Sequence, residues 1–578
     1  MKTNKIFSAV SVALVAAGLG LSSCADNLDL APIDYYGAGN FWKTEAQAIG
    51  NMSAMMQHFR GTYNFQTVIT YGELRGGAYT LEVTGSDGAG LNSQGIREQN
   101  FSEDLPQVSN FGSYWGLIAN MNMFIYQVEQ ANYFSSESTR EYCLGMAYGM
   151  RAYWNFLLYK AYGGIPLRTE PDVALGIYDP LKLYKARSEA SEVMAQIKAD
   201  IETSLKYFGT QTTFNFNGSS KNAKYYWSKA ATEMLAGEVY LWNSKVTTGD
   251  QTATTADLAT AKTYFENVIN NYGLSLQSNF ANIFSTSNRQ NSEVIFSFQF
   301  SETEATNDIP SAYGYGIVTG YTIGSGYDVD GNLWNNPHQI ASTVNRYQYS
   351  NALWYQYDAE DTRRDATFSA SFHDAAAQHL RGTFVRKNIG GISSQTTYRM
   401  YDADQPLYRL ALAYLSLAEI ANMQDDANGV ETNINIVRQR AYGDNYDASK
   451  HAYKAGTFVE NEVAILHEKD KEFVQEGQRW WDIRRMSVSK ACGETDHLLF
   501  HNEGHIAYGL NIDNTKMREL SPTSWEAAPE LVVKPILETA YAYRALWPID
   551  VTVMNSDPLL TQTPGYPGDE KYKTPRDF

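Results

Sequence analysis

The chain is expected to fold as a large, mostly helical body, and three observations carry that expectation. Apolar residues recur at three- and four-residue spacing in nine separate segments. Those segments follow one another in pairs, which is how a helix-turn-helix array builds a core by stacking neighbours. The remaining residues are rich in Gly, Ser, Asn and Tyr, and few of them alternate as strands do.

In chain order, the first helix is expected at 44–60, with Thr44 as N-cap and Gln47 at the capping-box position. Helices at 115–132 and 139–162 follow, the second presenting Tyr142, Met146, Met150, Tyr153 and Leu157 on one face. The segment 189–207 carries Val193, Ile197, Ile201 and Leu205 four residues apart. Segments 228–243, 258–271, 406–423, 434–440 and 459–477 complete the set. Period alone does not name the repeat. Between the helices, 65–113 is Gly-, Ser- and Asn-rich, with 71–80 expected as a short strand. A longer irregular region, 293–405, opens on a strand at 294–300 and passes through Tyr313, Tyr315, Tyr321, Tyr327 and Trp334. So long a stretch with few helix signals in a compact protein is usually functional.

The first residues read as a secretion signal. Lys2 and Lys5 precede a run without charge from 6 to 21, and Leu21-Ser22-Ser23-Cys24 then has the form of a lipobox. Residues 1–23 are expected to be removed and Cys24 to carry lipid, so that the lipid anchors the protein to a membrane. No later segment approaches the ~18 consecutive apolar residues of a membrane span. Cys143 and Cys492 are left; they could pair, but two buried free thiols fit a chain that is no disulfide scaffold.

Composition narrows the function classes. With 64 acidic against 46 basic residues the net charge is −18, which repels nucleic acid and anionic lipid surfaces. The chain holds 41 Tyr and 11 Trp, rings that pack cores, anchor interfaces and stack on sugars. Scattered His and unpaired Cys predict no metal site, and the sequence has no GxSxG, P-loop or Rossmann glycine motif. No cofactor is expected. Glu468, Glu472, Glu476 and Asp482 could suggest paired catalytic carboxylates. Their one-turn spacing beside Lys469, Lys471, Arg479, Arg484 and Arg485 reads instead as an ion-pair network bracing a helix, each exposed pair worth about a few tenths of a kcal/mol. Arg151, Arg438 and Arg440 sit inside expected helices and read as structural salt bridges. An enzyme is not expected.

Seven ordered motifs carry a resemblance. Near the start stands Phe41-Trp42-Lys43-Thr44-Glu45-Ala46, followed by Gly72-Glu73-Leu74-Arg75-Gly76. Then come Arg151-Ala152-Tyr153-Trp154 with Tyr162-Gly163-Gly164-Ile165-Pro166-Leu167, and Asn291-Ser292-Glu293-Val294-Ile295-Phe296. Ile434-Asn435-Ile436-Val437-Arg438-Gln439-Arg440-Ala441 and Glu472-Phe473 through Arg479-Trp480-Trp481-Asp482-Ile483-Arg484-Arg485 follow. The last is Leu546-Trp547-Pro548-Ile549 with Gln562-Thr563-Pro564-Gly565-Tyr566. Together they resemble the SusD/RagB family of outer-membrane nutrient-binding lipoproteins over nearly the whole mature chain. Thr563, Asp550 and Gly77 depart from the family pattern.

The resemblance implies one SusD-like domain at 24–578: mainly α, tetratricopeptide-like helix pairs with long irregular loops and a few short strands. The helical scaffold would be about 40–290 and 406–480, the ligand loops about 293–405, and a C-terminal region about 481–578. It implies a surface-exposed lid on a SusC-like TonB-dependent transporter, capturing an oligosaccharide, with peptides as the alternative cargo. A structural surface lipoprotein or adhesin is a further reading. Sugar sites want Tyr or Trp beside polar groups, so the expected ligand residues are Tyr313, Tyr315, Tyr321, Tyr327 and Trp334 with Asp328 and Asn332. Tyr398 and Tyr401 are the expected second contribution.

Overall fold

The structure is a computed structural model that describes residues 41–79, 95–100, 102, 111–216, 219, 221, 223–311, 326–341, 349–378, 380–501 and 535–567. Cys24, Tyr313, Tyr315 and Tyr321 lie outside the described residues.

Helix α1, Glu45–Thr62, starts at a capping box: Thr44 Oγ1 accepts the Gln47 amide and Gln47 Oε1 accepts the Thr44 amide. Next come α2 (Trp115–Glu129), α3 (Glu137–Tyr162), α4 (Ala190–Phe208), α5 (Lys229–Lys245) and α6 (Asp257–Asn271). Each packs on the next in sequence. After a long excursion α7 (Leu410–Met423) packs on α6, then on α8 (Ala427–Tyr442) and α9 (Phe458–Glu472). Helix α10, Arg479–Arg485, closes the array. One continuous apolar core runs from Ala48 to Tyr566.

Close approach sets the pitch of the array. At Gly149 of α3 an added Cβ would stand 2.3 Å from Trp227 Nε1. The missing side chain lets the indole donate to Thr232 Oγ1 at 2.8 Å while its ring stays buried in the core.

The excursion is closed by a sheet. Strand β1 (Val294–Phe298) pairs antiparallel with β4 (Gln405–Arg409), placing Val294 opposite Arg409 and Phe298 opposite Gln405. Since β4 runs straight into α7, the loop region leaves and rejoins the scaffold at one point. Within it β2 (Phe368–Phe372) and β3 (Leu380–Val385) form a hairpin.

Three expectations are corrected. Residues 406–409 belong to β4, because the β1 edge takes up their backbone groups. Helix α9 stops at Glu472; Gln475 and Gly477 take positive φ (62° and 73°), which turns the chain. Where a strand was expected at 71–80, the chain makes a π-helical turn, Gln66–Tyr71, and tight turns after it. Gly72 is pressed there against the Gly477 carbonyl, and among the described residues of this stretch only Tyr79 bridges, to Tyr349.

The acidic cluster braces the fold, but as a buried network with partners far along the chain. Glu472 pairs with Arg409 at 2.5 Å, Arg363 at 3.0 Å and Arg440. Glu468 meets Arg363 at 2.7 Å and Arg438 at 2.9 Å, and Glu476 meets Arg409 at 2.7 Å and Lys387. Burial alone would raise the Glu472 carboxyl; the guanidiniums of Arg440, Arg409 and Arg363 outweigh it and hold the group well below the usual carboxylate range. Arg151 is paired as expected, with Asp200 at 2.7 Å. Cys143 and Cys492 are free, buried thiols.

Candidate functional site

Two loops of the excursion share one buried floor. Residues 326–341 and 386–402 meet over Trp334, Ile340, Phe384 and Ile389, with Tyr401 packed beside them. The Arg399 amide donates to the Gln339 carbonyl at 2.9 Å, and Arg399 Nε donates to the His338 carbonyl at 3.0 Å. His338 stacks on Phe384 at 5.4 Å; burial first, then the charges of Arg386 and Arg399, push its imidazole down to about 3, so it stays neutral.

Tyr327 is held by two backbone hydrogen bonds with Phe372 (2.7 and 3.0 Å), which extend the edge of β2. Asp328 builds the turn that follows: its Oδ1 accepts the amides of Asp330 and Asn332, each at 2.9 Å. Asn332 is itself exposed. Trp334 is only 2% exposed and presents no ring face to solvent. Tyr401 is half-buried against the same floor, with φ 53°, its carbonyl accepting the Asn307 amide at 2.7 Å. Two of the rings expected to meet ligand therefore pack this floor. Both loops need an apolar base, since neither is long enough to bury one alone.

Tyr398 is placed differently. It is 46% exposed, on a loop closed by the Ile392–Arg399 bridge and by the Ser393 amide donating to the Tyr398 carbonyl at 2.8 Å. Below it, Ser393 Oγ donates to Glu302 at 2.7 Å, Arg399 Nη1 to the Gly390 carbonyl at 2.7 Å, and the Gly391 amide to Asp402 at 2.7 Å. A rigid loop thus presents an open phenol ring. Val329, Leu333 and Ile392 are also exposed on these loops, among the exposed polar residues Asp330, Asn332, Asn335 and Gln395. Mixed ring, apolar and amide groups suit a ligand with both C–H faces and hydroxyl edges. Sequence reasoning passed over Val329, Leu333 and Ile392, since an isolated apolar loop residue has no period to mark it.

A separate cavity of about 690 Å3 lies between α2 and the α3–α4 connection. Phe111, Trp115, Met123, Pro166 and Leu183 line it, and Arg168 pairs with Asp172 at its edge at 3.3 Å. Along the same connection Val173, Leu175, Tyr178 and Leu181 are exposed. Four large apolar residues in a Pro- and Gly-containing connection were the available signal, and it was not used.

Two family models match the chain: one described as SusD family over residues 376–566, and one described as starch-binding associating with outer membrane over residues 82–229. A crystal structure of a SusD superfamily protein from Bacteroides fragilis is 43% identical, covering 91% of this chain and 100% of its own, with a TM-score of 0.79. B. fragilis NanU is 27% identical over 93% of this chain and 100% of its own, with a TM-score of 0.73. Surface glycan-binding protein A from Bacteroides thetaiotaomicron, solved in complex with laminarihexaose, shares the fold at 14% identity (TM-score 0.62, 90% of this chain, 100% of its own). The SusD-like protein P38 of Formosa agariphila is 27% identical over 207 residues, 36% of this chain and 38% of the relative's length. Tetratricopeptide-like helix pairs with long loops are the architecture of this likeness.

Proposed function

This chain belongs to the SusD superfamily, and we propose that it is a cell-surface lipoprotein that captures an oligosaccharide for a SusC-like TonB-dependent outer-membrane transporter. The anchor is lipid on Cys24, at the end of the lipobox. The glycan meets the face formed by residues 327–335 and 392–398. The observation that carries this reading is Tyr398: an open ring on a loop pinned by Arg399, Ser393 and Asp402 offers stacking area at little entropic cost. The laminarihexaose bound by a protein of the same fold, and the starch-binding description of the family model, support a carbohydrate as cargo. Tyr327, Asp328 and Asn332 shape the rim, and Trp334 and Tyr401 act beneath it. The task is binding rather than catalysis.

Isothermal titration of the mature chain against oligosaccharides and short peptides tests the proposal, repeated with Tyr398→Ala. Heat with one glycan class that falls in the variant supports it. Heat from peptides alone moves the cargo to peptide, and silence with both overturns capture by the protein alone.

A second surface supports the transporter partnership. Val173 lines the 690 Å3 cavity, Leu175, Tyr178 and Leu181 are exposed farther along the same connection, and exposed large apolar residues grouped in this way mark protein contacts. We assign it to the transporter; loss of co-purification in Tyr178→Asp/Leu181→Asp is the result expected.

A further inference from the structure

A second cavity, about 340 Å3, is built from other segments: the turn after α5, helix α10, residues 494–500 and residues 542–546. Arg484 of α10 lines it and is 5% exposed. Its neighbours on the same helix are neutralised inside the protein. Arg479 pairs with Asp470 at 2.6 Å, and Arg485 with Glu419 at 2.9 Å and Asp482 at 2.6 Å. For Arg484 no carboxylate among the described residues comes within the 4.0 Å of an ion pair. Its Nη1 donates to the Lys160 carbonyl in the last turn of α3, and Nε and Nη2 meet no acceptor among the described residues. The rings of Trp242, Trp480 and Trp481 lie 5.1, 5.9 and 6.0 Å from the guanidinium carbon.

A second cation deepens the imbalance. Lys160 Nζ is buried with no ion pair among the described residues, 4.7 Å from the Trp481 ring centre. Burial pushes Lys160 down to about 8 and Arg484 down to about 9, yet both keep their charge at neutral pH. Buried cations with no acid partner among the described residues are costly, and an anion entering the cavity would relieve Arg484, which lines it. His497, on the same wall, has a buried Nδ1 with no hydrogen bond among the described residues. Tyr543 and Leu546 supply an apolar wall, while Glu494 is the one carboxylate of the lining and is exposed.

We propose that this cavity binds a small hydroxylated carboxylic acid of monosaccharide size, its carboxylate held by Nε and Nη2 of Arg484 and its carbon skeleton laid against Tyr543. A two-pronged guanidinium–carboxylate contact is the geometry those two free donors fit. His497 can donate a third hydrogen bond from Nδ1, and the volume lies within the range of ligand pockets. The site stands independently of the glycan face, which uses none of these residues.

Titration of the mature chain with D-glucuronate, D-galacturonate, D-gluconate and neutral D-glucose tests the assignment, read by calorimetry and by thermal shift. At least one acid is expected to bind and glucose is not. Binding should weaken with added salt, and Arg484→Gln should lose at least tenfold in affinity while melting normally without ligand. If Arg484→Gln does not fold, Tyr543→Ala is expected to lose the acid instead. Silence with all three acids, equal binding of glucose, or binding unchanged in the folded variant overturns the proposal.

Discussion

The amide of Gly477 donates to Oε1 of Glu73 across 2.8 Å, joining the turn after α9 to the turns after α1. The other oxygen of Glu73 accepts the hydroxyls of Tyr79, at 3.0 Å, and of Tyr349. The carboxyl thus ties three distant segments beside the loop region. Burial is the largest influence on it and outweighs those donors, pushing it up to about 7.

That shift makes stability pH-dependent. A carboxyl raised in the folded state is protonated there while the unfolded chain has already ionised, so its contribution is full below the unfolded value and is lost as pH rises through the folded one. Between about pH 4.5 and 7 the loss amounts to about 3 kcal/mol. Measured by urea unfolding at pH 5 and pH 8, the stability of the parent chain relative to Glu73→Gln should fall by about 3 kcal/mol over that interval. The buried, depressed imidazoles of His338, His467 and His497 act oppositely, costing stability below their unfolded value, and they cancel in that comparison.

Glu472→Gln leaves Arg409, Arg440 and Arg363 sharing less charge than they need. Breaking a buried pair by removing one partner costs about 3–5 kcal/mol. A fall of several degrees in Tm is expected; a change within error would mean that the network is neutral.

Gly149→Ala places a methyl 2.3 Å from Trp227 Nε1 and 2.8 Å from Thr232 Oγ1. The core must shift, and overpacking of this kind costs about 1–3 kcal/mol. Denaturant unfolding should show the loss, although Ala favours helix over Gly.

Tyr398→Ala and Trp334→Ala separate binding from packing. The first should reduce glycan affinity about tenfold with Tm unchanged, because the ring is exposed. The second empties a buried site and should cost about 3–5 kcal/mol of stability. Equal loss of affinity in both, with both stable, would place the ligand against Trp334 instead.

Much of the scaffold was legible in the chain itself. Helix α1 was marked by its capping box at Thr44 and Gln47, and α4 by Val193, Ile197 and Ile201, because these are local devices that act within one or two turns. Strand β4 was read as helix, since Leu407 and Tyr408 are apolar in either setting and only the partner β1 decides. Glu468 and Glu472 were placed on their helix correctly, whereas Glu476 lies past its end, and the partners Arg363 and Arg409 of Glu472 lie over 60 residues away. Trp334 and Tyr398 both stand in Gly- and polar-rich loops, and their spacing does not distinguish floor from rim.

The sequence by itself determined the helix array, the ordered motifs and the paired roles of Arg151 and Arg440, all set by period, capping and charge along the chain. Only the tertiary structure decided which ring of the long excursion is open, which carboxylates are buried, and that Arg484 lines a cavity with no ion-paired acid among the described residues. Those are properties of long-range packing: burial and pairing depend on what the fold brings within a few ångströms, and neighbours in sequence carry no record of it.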